Sequence, residues 1–169
     1  GAILHNSGLV VCRNSIFKNN KVQNSGGAIS SNGTLDIAQC SFEGNEAGNH
    51  GGAIAKGGAF PLTIDASNFT ENKAGTDPAG QTDGGEGGAL HVSSAAIGSI
   101  TSTRFNKNSA SSGTGSSVNA GGGAIYNAGA LAVTASVFAG NEVDGPQWHG
   151  GAIHNHSSGN LTVSFSHFG

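Results

Sequence analysis

The sequence predicts an all-β fold, a right-handed, single-stranded parallel β-helix of about six rungs that is incomplete at both ends. A Gly-Gly-Ala-Ile/Leu motif recurs along the chain, and a Phe-x-x-Asn motif follows each copy at a nearly constant distance. Between the two motifs, apolar and polar residues alternate. Alternation indicates strands, because successive side chains of a strand point to opposite faces. Repetition at this period indicates a solenoid, in which each unit stacks on the next.

The Gly-Gly-Ala motif marks the start of each rung. Full copies begin at Gly26, Gly51, Gly87, Gly122 and Gly150, and the chain opens on the last three residues of the motif. We therefore expect residues 1–169 to be one β-helix segment of a longer repeat protein, with rungs that begin near residues 1, 27, 52, 88, 123 and 151. We expect the Ile or Leu of the motif to face the core, in the column Ile3, Ile29, Ile54, Leu90, Ile125 and Ile153. The Ala would then face outward, in the column Ala2, Ala28, Ala53, Ala89, Ala124 and Ala152.

The Phe-x-x-Asn motif predicts two further columns. Its aromatic residues would stack in the core, and they are Phe17, Phe42, Phe69, Phe105, Phe138 and Phe168. Its amides would form a hydrogen-bonded ladder at an inner corner, where Asn also tolerates a left-handed backbone. The ladder residues are Asn20, Asn45, Asn72, Asn108 and Asn141.

The alternating segment between the motifs predicts three short strands per rung. The residue five places before the Phe is apolar in every repeat, and this column reads Cys12, Ile37, Ile64, Ile100, Val133 and Val163. Seven residues before it stands Val10, Leu35, Leu62, Gly98, Leu131 or Leu161, so Gly98 breaks an apolar column. A small residue two places before each Phe leaves room for the aromatic ring. The left-handed hexapeptide helix, with 18 residues per rung, and the calcium-binding nonapeptide roll are rejected because their repeats are absent.

One corner of the rung accepts insertions. The distance from the ladder Asn to the second Gly of the next motif is 7 residues in the first two repeats, and then 16, 15 and 10. The added residues fall in polar loops at 73–86, 109–121 and 142–149. Insertions on one side of a solenoid mark a binding face in many repeat proteins, but a surface loop also tolerates extra length at small cost.

Composition and charge exclude several partners. The net charge is −3, so no basic surface for nucleic acid is expected. No apolar run approaches the roughly 20 residues that span a membrane, so we expect no membrane insertion by this segment. No signal peptide is visible.

The chain has two cysteines, Cys12 and Cys40, which fall in different columns of neighbouring rungs. A disulfide between them is geometrically awkward, and we expect two buried thiols.

The residue after the inward Ile points outward and places His91, Tyr126 and His154 in a row on the last three full rungs. His149 and His156 lie near this row, and Trp148 stands in the loop beside Pro146. The row could be a contact patch, a sugar-stacking surface, a weak metal site or ordinary exposed residues. His91 and His154 are two rungs apart, too far for shared coordination, so the sequence predicts no metal ligands, no cofactor and no catalytic residues. Trp148 could anchor a partner or pack its loop onto the rod.

Four N-glycosylation sequons occur, and they matter only for a eukaryotic source. Their acceptors are Asn32, Asn68, Asn155 and Asn160.

The paired motifs resemble the repeat of polymorphic outer-membrane proteins, found in passenger domains of chlamydial-type autotransporters and in other bacterial and algal surface proteins. The resemblance covers the chain from Gly1 to Phe168. It implies a secreted, right-handed parallel β-helix displayed on a cell surface, often in adhesion.

The leading hypothesis is a non-catalytic extracellular scaffold within a cell-surface adhesin or autotransporter-like passenger. Its partners would be other segments of the same β-helix, or a host-cell protein or glycan. One alternative is the shaft of a filament whose identical subunits join end to end. Another is a pectate-lyase-like polysaccharide lyase or hydrolase, which needs carboxylates close together with Arg or Lys in a cleft. The acidic residues of this chain do not stack in that way, and we expect no enzymatic activity.

Overall fold

The computed structural model describes residues 1–76, 84–111, 120–145 and 150–169. These residues form an all-β parallel β-helix of about six rungs, which confirms the predicted architecture. Strands of successive rungs pair in parallel and in register, and they build four sheets along the rod. In the described part of the chain there is no helix long and apolar enough to cross a membrane.

Each of the six rungs contributes one strand to each of the first three sheets. The first sheet contains β1 (Ile3–His5), β5 (Ile29–Ser31), β9 (Ile54–Lys56), β13 (Leu90–Val92), β17 (Ile125–Asn127) and β21 (Ile153–Asn155). The second contains β2 (Leu9–Arg13), β6 (Thr34–Ala38), β10 (Pro61–Asp65), β14 (Ile97–Thr101), β18 (Ala130–Thr134) and β22 (Asn160–Ser164). The third contains β3 (Ile16–Lys18), β7 (Ser41–Glu43), β11 (Asn68–Thr70), β15 (Arg104–Asn106), β19 (Val137–Ala139) and β23 (His167–Phe168).

A fourth strand follows the ladder Asn, so the prediction of three strands per rung is wrong. The fourth sheet contains β4 (Lys21–Val22), β8 (Glu46–Ala47), β12 (Lys73–Ala74), β16 (Ser109–Ser111) and β20 (Glu142–Asp144). Each of these strands has two or three residues and turns one apolar side chain inward, so no alternation is visible in the sequence. The strands also occupy the first residues of the inserted loops. Residues 77–83, 112–119 and 146–149 lie outside the described residues.

The Ile column faces the core as predicted, but the outward Ala column is wrong. Ile29, Ile54, Leu90 and Ile125 are fully buried, and so are the Ala residues that precede them in the inner four copies. The Ala residue lies in a corner rather than in an extended strand. In the second rung, the N–H groups of Ala28 and Ile29 both donate to the carbonyl oxygen of Ala53, at 2.9 and 3.0 Å. Because the chain turns there, neighbouring side chains do not alternate between faces, and both enter the core.

The paired glycines of the motif are required by this corner. Gly51 has φ of +62°, and a Cβ on it would lie 2.1 Å from the carbonyl oxygen of Ile54. A Cβ on Gly52 would lie 2.1 Å from the carbonyl oxygen of Gly88 in the next rung. Both distances are far inside van der Waals contact. The tight corner itself excludes a side chain at Gly51, and the close approach of the next rung excludes one at Gly52.

The predicted Asn ladder forms, but the left-handed residue is displaced by one position. Asn72 donates from its side-chain nitrogen to Asn108 Oδ1 at 2.9 Å and to the carbonyl oxygen of Phe42 at 3.0 Å. Asn45, Asn72 and Asn108 are fully buried. The positive φ belongs to the residue before each ladder Asn, in the series Asn19, Gly44, Glu71, Lys107 and Gly140. That turn aims the following amide into the rod, and the ladder bonds, rather than Asn backbone tolerance, select Asn.

The predicted Phe stack also forms. The six rings lie in one column with centroids 4.6–4.9 Å apart and planes within 10° of parallel. The core beside the stack contains the Leu35 and Ile37 pair and its equivalents in later rungs. Gly98 contributes no side chain to that column, between Leu62 and Leu131.

The small residues two places before each Phe do more than leave room. Ser67 donates its hydroxyl to the carbonyl oxygen of Asp65 at 2.8 Å, and its oxygen accepts the backbone N–H of Cys40 at 3.1 Å. Thr103, Ser136 and Ser166 continue this hydroxyl ladder.

Cys12 and Cys40 are buried free thiols, as predicted. Burial raises the pKa of the Cys12 thiol, so Cys12 stays protonated and unreactive.

Candidate functional site

The outer face of the first sheet carries the row predicted from the sequence. His91 pairs with Tyr126 in the strand register, and Tyr126 pairs with His154. The ring of His91 stacks on that of Tyr126 with centroids 5.2 Å apart and planes 6° apart. His154 meets Tyr126 edge-on at 5.1 Å, and His156 lies 6.0 Å from the same ring.

A second column lies beside this row and was not predicted. His50 and Glu86, the residues immediately before two Gly-Gly-Ala motifs, pair in a parallel bridge, and Glu86 pairs in the same way with Gly121. The ring of His50 stacks on that of His91 with centroids 5.0 Å apart. Glu86 therefore lies between two imidazoles, with its Oε2 3.4 Å from His50 Nδ1 and 3.2 Å from His91 Nε2. We call His50, Glu86, His91 and Tyr126 the histidine–glutamate cluster.

The electrostatics of the cluster keep Glu86 ionised. Burial opposes its charge, but the hydrogen bond from His91, the electrostatic attraction of the His50 and His91 imidazoles when protonated, and the hydroxyl of Tyr126 outweigh burial. Together they lower the pKa of Glu86. The same arrangement acts on Tyr126 in the opposite direction. Burial and the adjacent Glu86 carboxylate, which accepts the phenol hydrogen bond, raise the pKa of Tyr126 to about 12. The cluster therefore holds one anion, one neutral phenol and two imidazoles.

The cluster is more covered than an open contact surface. Tyr126 is 7% exposed, and the side chains of His50, Glu86 and His91 are 29%, 23% and 16% exposed. The second column covers the row, because His50 and Glu86 both contact the side chain of His91. A recognition role for the row at His91, Tyr126 and His154 stays a prediction. Trp148 and His149 lie outside the described residues.

Gly121 is the third member of the second column, and it makes room for His154. A Cβ at Gly121 would lie 2.1 Å from His154 Nδ1. The residues before the five Gly-Gly-Ala motifs are Ser25, His50, Glu86, Gly121 and His149, the last of which lies outside the described residues. That column was available in the sequence, but its position next to the first-sheet row depends on the corner geometry, which repeat spacing alone does not determine.

Metal coordination is the clearest chemistry of the cluster. In the described part of the chain, one group of three His, Cys, Asp or Glu side chains brings its ligand atoms within 4.8 Å of one another, and it is His50, Glu86 and His91. The sequence-based expectation of no ligand set rested on His91 and His154. Tyr126 separates those two residues, and the ligand atoms near His91 come instead from the corner column.

The remaining predicted positions are dispersed over the surface. The four sequon asparagines are all exposed, and they are Asn32, Asn68, Asn155 and Asn160. Asn155 is engaged in hydrogen bonds, because its Oδ1 accepts from Asn127 at 2.7 Å and its side-chain nitrogen donates to Gly159. Their glycosylation stays a prediction.

Three exposed ion pairs connect the first and second rungs. Arg13 contacts Asp36, Lys18 contacts Glu43 and Lys21 contacts Glu46. Such pairs help to fix register but contribute only about 0–1 kcal/mol each.

Comparison with known families and proteins identifies the repeat. The profile of the Chlamydia polymorphic membrane protein repeat matches residues 14–32 and 102–128. Comparisons with curated proteins and with solved structures gave no match. The first matched segment contains β3, β4 and β5, and the second contains β15, β16 and β17. Polymorphic membrane proteins are surface-exposed outer-membrane proteins, which supports a cell-surface location in general terms. In these two segments the chain therefore matches the repeat of the Chlamydia polymorphic membrane protein family.

Proposed function

We propose that this chain is a non-catalytic scaffold within an extracellular surface protein of the adhesin or passenger type. One observation carries the proposal: the inner Phe and Asn columns are uniform from rung to rung, whereas the outward positions of the first sheet vary. Phe and Asn recur at the same inner positions, yet the outward position of the first sheet reads Leu4, Ser30, Ala55, His91, Tyr126 and His154. A rod of this kind separates stability from recognition, because its outer residues can change without disturbing the core.

The acidic residues support a scaffold more than a polysaccharide-degrading enzyme. A glycosidase holds two carboxyl groups about 5–10 Å apart across a cleft. Here Asp36, Glu43 and Glu46 lie on three different sheets of one rung, and a Lys or Arg of the preceding rung neutralises each. Glu86 is surrounded by histidines and a tyrosine. Asp36, Glu43 and Glu46 are thus each paired with a cation of the neighbouring rung and do not form a cleft.

Binding and cleavage can be measured on the same samples. The protein is immobilised on beads and applied to a glycan array and to cultured host cells, and the supernatants are analysed for new reducing ends and unsaturated sugars. We expect retention on at least one glycan or cell type without product. Released product would contradict the scaffold role and favour a lyase or hydrolase. Absence of retention on every surface would contradict adhesion.

The contact face can then be located with matched charge insertions. Ser30→Glu, Thr63→Glu and Thr70→Glu each place one carboxylate on the outside of the first, second or third sheet. Loss of retention in one variant, with the other two unchanged, identifies the sheet that binds. Equal retention in all three variants would exclude all three faces near these rungs.

A filament is the second candidate, because three of the four parallel sheets run through all six rungs, and the same strand pairing can continue into an identical subunit. Sedimentation velocity distinguishes it from the adhesin. Concentration-dependent growth of long species would favour a filament shaft, whereas a single monomeric species would favour display on a larger surface protein.

A further inference from the structure

We propose that His50, Glu86 and His91 form a zinc site on the outer face of the first sheet, with a further coordination position left to water. No feature of the repeat requires these three residues. They lie at positions where other rungs carry Ser25, Gly121 or Ala55. The inference does not depend on the proposed function, since a scaffold with or without adhesive activity could hold the ion.

The ligand atoms already lie near the required separations. Neighbouring ligand atoms of a tetrahedral zinc site are about 3.3 Å apart, given bonds of about 2.0–2.1 Å. Glu86 Oε2 is 3.4 Å from His50 Nδ1 and 3.2 Å from His91 Nε2. The two nitrogen atoms are no more than 4.8 Å apart. A small rotation of either imidazole about its side-chain bonds closes the remaining distance.

The ligand types favour zinc over the hard cations. Two imidazole nitrogens and one carboxylate oxygen are typical zinc ligands, whereas Ca²⁺ and Mg²⁺ prefer sites made of oxygen atoms. Three protein ligands leave a coordination position for water. The three side chains are between 16% and 29% exposed, so the ion can enter from solvent.

The rod holds the ligands in place. His91 is the central residue of β13, which pairs with β9 on one side and β17 on the other. His50 and Glu86 are joined by a parallel bridge between neighbouring rungs. The ring of Tyr126 stacks on that of His91, and its hydroxyl donates a hydrogen bond to Glu86. Partners of this kind orient metal ligands and raise affinity.

Zinc titration of the tag-free protein by isothermal calorimetry tests the site. We expect one Zn²⁺ per chain and weaker binding at low pH, because protonated imidazoles cannot coordinate. His50→Ala, Glu86→Gln and His91→Ala should each weaken binding by at least about tenfold, since even the loss of an outer partner costs 10- to 100-fold. His167→Ala is the matched control, because His167 is exposed in β23 of the third sheet.

Two further measurements keep the test independent of folding defects. Co²⁺ in place of Zn²⁺ should give the intense visible absorption of a low-coordinate nitrogen–oxygen site, and Glu86→Gln should lose it while keeping the wild-type circular dichroism spectrum. Zinc should also raise the thermal unfolding midpoint of the wild-type protein and leave that of Glu86→Gln nearly unchanged, because an ion that binds only the folded state stabilises it. Stoichiometric binding that is unchanged in all three ligand variants, or no binding by the wild-type protein, would overturn the proposal.

Discussion

Asn45 donates its side-chain N–H to Asn72 Oδ1 at 2.9 Å, and its backbone N–H donates to the same oxygen at 3.0 Å. One side-chain oxygen thus satisfies two buried donors of the preceding rung. The arrangement repeats along the ladder, from Asn20 to Asn141. Because both donors are buried in the inner rungs, loss of one ladder residue leaves buried donors without partners and lowers the free energy of unfolding.

Asn72→Ala should lower the free energy of unfolding by about 3–5 kcal/mol, because it leaves several buried donors and acceptors without partners at about 1–3 kcal/mol each. Urea denaturation followed by circular dichroism measures the change. Asn20→Ala is the matched control, because Asn20 is half-buried and bonds to one neighbouring rung only. A similar loss in both variants would contradict the claim that burial makes the ladder costly to break.

Gly52→Ala should prevent folding of the rod or lower its free energy of unfolding by more than about 4 kcal/mol, since the added methyl group would overlap the backbone of the next rung. Gly98→Ala should be tolerated and should raise stability by about 0.5–1 kcal/mol, because a Gly within a strand costs about that much. A Cβ at Gly98 would lie 3.1 Å from Leu131 Cδ1, a flexible side-chain end that can move. Thermal denaturation of both variants checks the contrast, which a stable Gly52→Ala protein would refute.

Tyr126 is the only tyrosine of the chain, so its ionisation can be followed directly by tyrosinate absorbance. We expect a midpoint near pH 12 in the folded protein and near 10 after unfolding in urea. Since folding raises this pKa, the corresponding stability is complete below about pH 10 and is lost as pH rises toward 12. Glu86→Gln should move the folded midpoint toward 10. An unchanged midpoint in that variant would mean that Glu86 does not contribute to the raised pKa of Tyr126.

Lys56 is a buried cation within the first sheet. Its side chain is fully buried, its ammonium group donates to the carbonyl oxygen of Gly57, and burial lowers its pKa from 10.5. Folding disfavours the charged form, so stability should increase as pH rises from the lowered folded-state pKa toward the unfolded-state pKa of 10.5. Lys56→Met should remove this pH dependence and raise the free energy of unfolding by about 1–3 kcal/mol at neutral pH.

The same substitution at exposed Lys73 is the control and should change stability little. Urea denaturation at neutral and mildly alkaline pH gives both comparisons. A loss of stability in Lys56→Met would mean that the ammonium group makes a stabilising contact that outweighs its burial.

The interior of the rod was predictable because repetition fixes it. The Phe column, the Asn ladder and the inward Ile column each follow from one residue type at a constant spacing, and the stacked register then requires contact. The failures lie at corners. Ala28 is buried and Glu71 has a left-handed φ because the chain turns there, and the alternation of strands does not extend through a turn. The short fourth strand contains one inward residue, too few to form a pattern.

The candidate site was half predictable for the same reason. The row from His91 to His154 follows from strand register, which the repeat determines. His50 and Glu86 belong to a corner column, and their approach to His91 depends on the direction of the turn before each Gly-Gly pair. Motif spacing does not determine the direction of the chain at the corners, so it could not predict that His50 and Glu86 approach His91.

Surface display is the central claim, and antibody labelling of intact cells of the source organism tests it most directly. Antibodies raised against this segment should label cells that have not been permeabilised, and protease added outside the cells should remove the signal. Labelling that appears only after permeabilisation would contradict display on the cell surface.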